Sequence, residues 1–186
     1  MKMQGTSNSG SGPISCEVQT QRLKLREPDE KDASELTRLI GDWEVSKWLA
    51  RVPYPYALDD ARVFIENVRA TASSGYGANF FVDLDGALIG GAGLTGENAN
   101  TLELGYWIAR EHWGFGYATE AAAGLINYAE TRLGCTRIEA SYQNDNAASA
   151  WVLRKLGFRQ CGEKSTFSLA RNLHVRSTCV FLDLRH

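Results

Sequence analysis

Two runs of strand-forming residues, 79–84 and 87–94, flank the dipeptide Asp85-Gly86. A two-residue turn of this kind returns the chain antiparallel to itself. The hairpin sits in the middle of a chain whose other segments carry helical periodicity, and this constrains the fold. A doubly wound parallel sheet needs strands alternating with helices throughout, so it is excluded.

The remaining pattern surrounds that hairpin. Residues 20–26 alternate, with Leu23 and Leu25 facing one way and Arg22, Lys24 and Arg26 the other, which predicts a first strand. Pro28 and Asp29 open a helix whose stripe is Ala33, Leu36, Leu39 and Ile40, stopped at Gly41. A second helix starts near Asp59, carries Ala61, Phe64, Ile65 and Val68, and ends at Ser73-Ser74-Gly75. Between them, 43–56 is aromatic and broken by Pro53 and Pro55, hence a loop with room for a short helix. After the hairpin, 101–108 alternates as a fourth strand with Leu102, Leu104, Tyr106 and Ile108 on one face. A glycine-containing loop leads to a long helix with Ala118, Ala122, Leu125, Ile126, Ala129 and Leu133, closed by Gly134. A strand at 136–142, a short helix at 146–156 and two strands within 158–184 complete the chain. The expectation is an α/β fold with a mixed sheet: strand, two helices, three strands, helix, strand, helix, two strands.

With 186 residues, one domain with a sizeable core is expected. Residues 1–15 are rich in Gly, Ser and Asn, too polar to bury, and read as a disordered tail ahead of a domain at 16–186. The formal charge of -2 argues against nucleic acid as the main partner. No apolar run reaches bilayer length and no apolar signal core precedes the domain. The four cysteines are widely spaced, without a Cys-x-x-Cys pair or a metal-ligand spacing, so a cytoplasmic protein with free thiols and no metal is expected.

The densest chemistry lies in 110–121, where a strand runs into Trp113-Gly114-Phe115-Gly116-Tyr117-Ala118-Thr119-Glu120-Ala121 and then a helix. A glycine turn feeding a helix start leaves backbone N–H groups unpaired with the positive end of the helix dipole behind them, which makes an anion site. Without a Gly-Lys-Ser/Thr ending it is not a P-loop. Thr119 occupies the third glycine position of a dinucleotide fingerprint.

On five segments the chain resembles the GNAT superfamily of acyl-CoA-dependent N-acetyltransferases, in the branch of bacterial ribosomal-protein N-terminal acetyltransferases. They are Thr20-Gln21-Arg22-Leu23-Lys24-Leu25-Arg26, Pro53-Tyr54-Pro55-Tyr56, Leu104-Gly105-Tyr106-Trp107, the 113–121 loop, and Asn146-Ala147-Ala148-Ser149 with Lys155-Leu156-Gly157-Phe158. The resemblance implies that backbone groups of Tyr106, Trp107 and Ile108 pair with the pantetheine arm of acetyl-CoA. It implies that amides from Trp113 through Gly114, Phe115, Gly116 and Tyr117 to Ala118, with the Thr119 hydroxyl, take the diphosphate. Asn146 and Ser149 would meet the thiol end. Where the family's loop often starts with Gln or Arg, this chain has Glu111, with Arg110 beside it.

The same resemblance implies Glu103 as general base. The plain alternative is an exposed strand residue opposite Leu102 and Leu104. The tyrosine that some relatives use on the last helix is replaced by Leu153, which leaves Ser149 or water to protonate the thiolate. Trp43, Trp48, Tyr54 and Tyr56 form either ordinary core or a lip over the acceptor. The expected reaction is direct attack of a neutral amine on the thioester. At pH 7 an α-amine is roughly 15% neutral and a lysine amine only about 0.04%. A peptide N-terminus or a small amine of low pKa therefore suits a site with one carboxylate. An acyl-CoA-binding sensor without turnover and a nucleotide-binding protein are the rival readings, and both a monomer and a homodimer are left open.

Overall fold

The computed structural model describes residues 17–71 and 77–184. Its strands are β1 (Val18–Gln19), β2 (Lys24–Arg26), β3 (Gly77–Leu84), β4 (Ala87–Thr95), β5 (Thr101–Ile108), β6 (Arg137–Gln143), β7 (Arg159–Ser168) and β8 (Leu173–Asp183). Its α-helices are α1 (Ala33–Ile40), α2 (Trp43–Ser46), α3 (Leu58–Thr71), α4 (Tyr117–Leu133) and α5 (Ala147–Lys155). They form one mixed sheet in the order β1-β2-β3-β4-β5-β6-β8-β7. Among the described strands only the β5–β6 pair is parallel. The expected α/β fold and order of elements are present, with three refinements.

The first concerns residues 20–26, which do not form a continuous strand. Thr20 and Leu23 close a turn (Thr20 N–H to Leu23 O, 2.9 Å) that separates β1 from β2. Leu23 and Leu25 still enter the core, both fully buried. The break has a tertiary cause: Thr20 and Arg22 turn aside to bind Glu120 on α4, a partner no local pattern reveals. The second is the approach to α1, where Asp29 caps a single 3₁₀ turn, Glu30–Asp32, before the α-helix begins. The third is α2 inside the aromatic segment, capped by the Asp42 side chain on the N–H of Glu44. The expected end of the second helix at 73–75 lies outside the described residues.

The hairpin signal has a direct structural basis. Asp85 and Gly86 both take positive φ, 52° and 88°, as the tight turn that matches strand twist requires. Two apolar layers result. Leu102, Leu104 and Ile108 of β5 join Ala121, Ala122, Leu125 and Ala129 of α4 on one face. On the other face Leu36, Leu39 and Ile40 of α1 and Ala61 and Ile65 of α3 cover Phe81, with Trp107 packed against them. Gly91 admits that indole, since a Cβ there would lie 2.6 Å from Trp107 Nε1.

Arg26 ties the second layer to the sheet. It bonds Asp32 through both terminal nitrogens (2.7 and 2.9 Å) and Asp83 through Nε (3.0 Å), and all three side chains are largely buried. Removing one partner leaves a charge in low-dielectric surroundings. Asp32→Ala is therefore expected to cost about 2–3 kcal/mol in urea unfolding. A change within about 0.5 kcal/mol, the range of ordinary surface substitutions, would contradict this.

Candidate active site

β5 and β6 share only three residue pairs, Thr101 with Arg137, Leu102 with Ile138 and Glu103 with Glu139. Beyond them β5 continues along β4 as far as Ile108, while β6 continues along β8 as far as Gln143. The sheet therefore splits after Glu103. Backbone groups of alternate residues face opposite edges of a strand. The Ala109 N–H bonds Ile89 O at 2.8 Å, so Trp107 also turns its groups to β4, while Leu104, Tyr106 and Ile108 face the split. Of the three residues expected to offer backbone to the pantetheine arm, Tyr106 and Ile108 stand on the open edge, and Leu104 takes the place of Trp107. The Ile108 carbonyl is engaged by the Trp113 indole at 2.7 Å, which leaves its N–H.

At the wide end of the split lies the glycine loop. Gly114 and Gly116 both have φ of 83°, a conformation strained for any residue with a Cβ. Gly116 caps α4, and the first intrahelical bond runs from Glu120 N–H to Gly116 O. Among the described residues no acceptor takes the N–H groups of Gly114, Phe115, Gly116, Tyr117, Ala118 or Thr119, and the space around a Cβ on Gly114 is open. The Thr119 hydroxyl likewise has no partner among them. A row of free donors at a helix start fits a diphosphate. Glu111 does not intrude, because Arg38 of α1 holds it at 2.9 Å and keeps its pKa below the usual glutamate range.

Two residues on opposite sides of the split meet across it. The Tyr106 hydroxyl and Ser149 Oγ are 3.0 Å apart. Burial pushes the Tyr106 phenol up to about 12, against a smaller opposing effect of this bond. Asn146 caps α5, its Oδ1 accepting from Ser149 N–H at 3.0 Å. Leu153 is buried in the core rather than turned to the split.

Glu103 lies at the apex on the α1–α3 face, lining an open cleft of about 640 Å³ with Arg51, Thr101 and Glu139. Lys164 approaches it at 3.4 Å and Arg51 at 3.7 Å. The four aromatics are not among the lining residues of this cleft. Trp43 and Tyr54 pair edge to face at 5.0 Å and are exposed. The Trp48 ring is in contact with the cations of both Lys47 and Arg171. Tyr56 packs on the α1–α3 core, its phenol pushed up to about 12 by burial and then by Asp60. The aromatic segment instead contributes Arg51. It crosses the split, held by bonds from Gln143 and Arg171 to Lys47 O and from Leu169 N–H to Ala50 O.

Sequence reasoning missed the clamp beneath the loop. Glu120 accepts from Thr20 Oγ1 (2.7 Å), from the Arg22 N–H (2.6 Å) and from Arg22 Nε (2.7 Å), while Arg22 Nη1 donates to Phe115 O at 3.1 Å. These partners lie about 100 positions apart in the chain, and the only local sign was acidic charge in a first helical turn. Burial opposes the ionised Glu120, but its bonds to Thr20 and Arg22 prevail and hold its pKa below the ordinary value. A depressed carboxyl pKa adds stability that is complete above the unfolded value of about 4.3 and lost as pH falls through the folded one. The stability advantage of the native chain over Glu120→Gln should thus be full at neutral pH and shrink in acid. Urea unfolding across pH tests it, and a difference independent of pH would contradict it.

Comparisons agree with this geometry. A family model described as an acetyltransferase (GNAT) domain matches residues 22–159. The N-acetyltransferase p20 of Bacillus licheniformis, itself uncharacterized, is 33% identical over 147 residues, 77% of this chain and 82% of p20. YdaF of Bacillus subtilis (strain 168), a proposed ribosomal N-acetyltransferase, is 29% identical over 166 residues, 87% of this chain and 90% of YdaF. Mycobacterium smegmatis RimJ, solved in complex with CoA-disulfide, superposes with a TM-score of 0.81 at 23% identity, covering 91% of this chain and 88% of RimJ. With a free amide row at a helix start, a sheet that opens beside it and a family match over most of its length, the chain belongs to the GNAT family and is an acetyl-CoA-dependent N-acetyltransferase.

Proposed function

We propose that the acceptor is the α-amine of a peptide or protein N-terminus and that Glu103 receives its proton. The observation that carries this reading is the position of Glu103, at the apex of the split and in a cleft open to solvent on the face away from α4. Glu139 stands directly across the pair from it. Like charges side by side are unfavourable in a sheet; Arg137 at 3.2 Å offsets Glu139, and a cationic amine adds to that relief beside Glu103. The contacts of Glu103 with Arg51 and Lys164 are long and exposed, each worth at most about 1 kcal/mol, so an incoming ammonium displaces them at small cost. The relative YdaF, named for ribosomal acetylation, supports a protein N-terminus.

In this reading the open-edge amides of β5 align the pantetheine arm and one of them, Leu104 or Tyr106, holds the developing oxyanion. The amides of residues 114–118 with the Thr119 hydroxyl hold the diphosphate, and Asn146 and Ser149 stand at the thiol end. The neutral amine forms its C–N bond as the C–S bond breaks, and its proton passes to Glu103. Burial makes the Tyr106 phenol a weaker acid than an ordinary tyrosine, and the proton of the thiolate is not assigned to it. Either oxygen can donate in the Tyr106–Ser149 contact; with Tyr106 donating, the Ser149 proton is free to stabilise the sulfur by a hydrogen bond. The thiolate then takes its proton from solvent or from protonated Glu103.

Thiol release from acetyl-CoA with a panel of amines tests the acceptor. Peptides with free N-termini should react, and their N-blocked forms, even with lysine present, should not. Acetylation of lysine side chains alone would overturn the assignment. Glu103→Gln should lower the chemical step about 100-fold or more. The deficit should narrow as pH rises and more amine is neutral without help. Near-normal turnover at every pH would leave Glu103 an exposed strand residue.

A further inference from the structure

The amides of the glycine loop account for its backbone but not for its aromatic side chains. Phe115 stands between the two left-handed glycines and is 60% exposed. Exposed aromatic rings occur singly on ordinary surfaces, and Trp151 and Phe167 are others here, so exposure alone says little. Phe115 differs in what supports it. Its ring stacks on Tyr117 at 5.8 Å and 25°, and Tyr117 in turn carries the Arg22 guanidinium 4.6 Å from its centroid. Arg22 is fixed by Glu120 at 2.7 Å and by the Phe115 carbonyl at 3.1 Å. The layers are thus tied to the turn between β1 and β2 and to α4, and the outer face of Phe115 is left to water.

This platform adjoins the free amides. Acetyl-CoA carries its pantetheine arm on one side of the diphosphate and adenosine on the other. With the arm directed along the open edge of β5, adenosine leaves the loop on the other side. Resting on the acetyl-CoA assignment of the loop, we propose that the outer face of Phe115, backed by Tyr117 and Arg22, stacks against the adenine ring of the acyl donor. A flat π-face covering an exposed ring removes apolar surface from water without requiring a hydrogen-bonding pattern. The side chain of Phe115 then recognises the nucleotide end of the donor and takes no part at the acyl end.

Calorimetric titration, with competition where binding is weak, separates these contributions. Coenzyme A, 3′-dephospho-coenzyme A and 4′-phosphopantetheine, which lacks adenosine, are compared on the native chain, Phe115→Ala and Phe115→Trp. As Phe115 is exposed, both variants should fold. Phe115→Ala is expected to weaken coenzyme A and its dephospho form about tenfold or more, leave phosphopantetheine unchanged, and be matched by near-native binding in Phe115→Trp. Equal losses for all three ligands, or no loss for coenzyme A, would overturn the adenine platform while leaving the loop assignment standing. Failure of the native chain to bind coenzyme A at all would overturn both.

Discussion

Interstrand hydrogen bonding between β5 and β6 stops after the Glu103–Glu139 pair, while β5 runs on beside β4 and β6 beside β8. Backbone groups freed inside a sheet must be satisfied by something. Here they line a slot wide enough for Tyr106 and Ser149 to meet across it. The glycine loop lies where β5 ends and α5 starts where β6 ends. Amides, open edge and hydroxyl pair are therefore all placed by one interruption in the sheet.

The two faces of the sheet divide the work. α4 packs on one face with small residues, Ala121, Ala122 and Ala129, whose size lets its N-terminus come close to the strands. The other face carries α1 and α3, and the segment around α2 crosses the split by bonds to Gln143, Arg171 and Leu169. Glu103 belongs to this second face, as the period of two along β5 requires when Leu102 and Leu104 face α4. The open edge of β5 and the cleft at Glu103 therefore meet at the same strand from opposite sides.

Electrostatic ties keep two carboxylates away from the free amides of the glycine loop. Arg38 draws Glu111 aside, and Glu120, negative at a helix start, spends its charge on Thr20 and Arg22 rather than opposing a diphosphate. Both carboxylates would weaken an anion site if left unpaired. Their partners arrive from α1 and from the turn between β1 and β2.

Much of the fold was legible in the chain itself. The Asp85-Gly86 turn needs two positive φ angles, the stripes of α1 and α4 have helical period, and the glycines at 114 and 116 mark a turn that other residues adopt only under strain. These are local matters, settled by backbone sterics and by the spacing of apolar residues. The break at Thr20–Leu23, the pairing of Glu120 with Arg22, the Tyr106–Ser149 contact and the place of Arg51 beside Glu103 were not legible. Each depends on residues tens of positions apart, brought together by sheet order and by where two strands part. Local pattern determined which elements form and where an anion can sit. Only the tertiary structure decided which side chains share the split, because long-range contacts follow from the packing of whole layers.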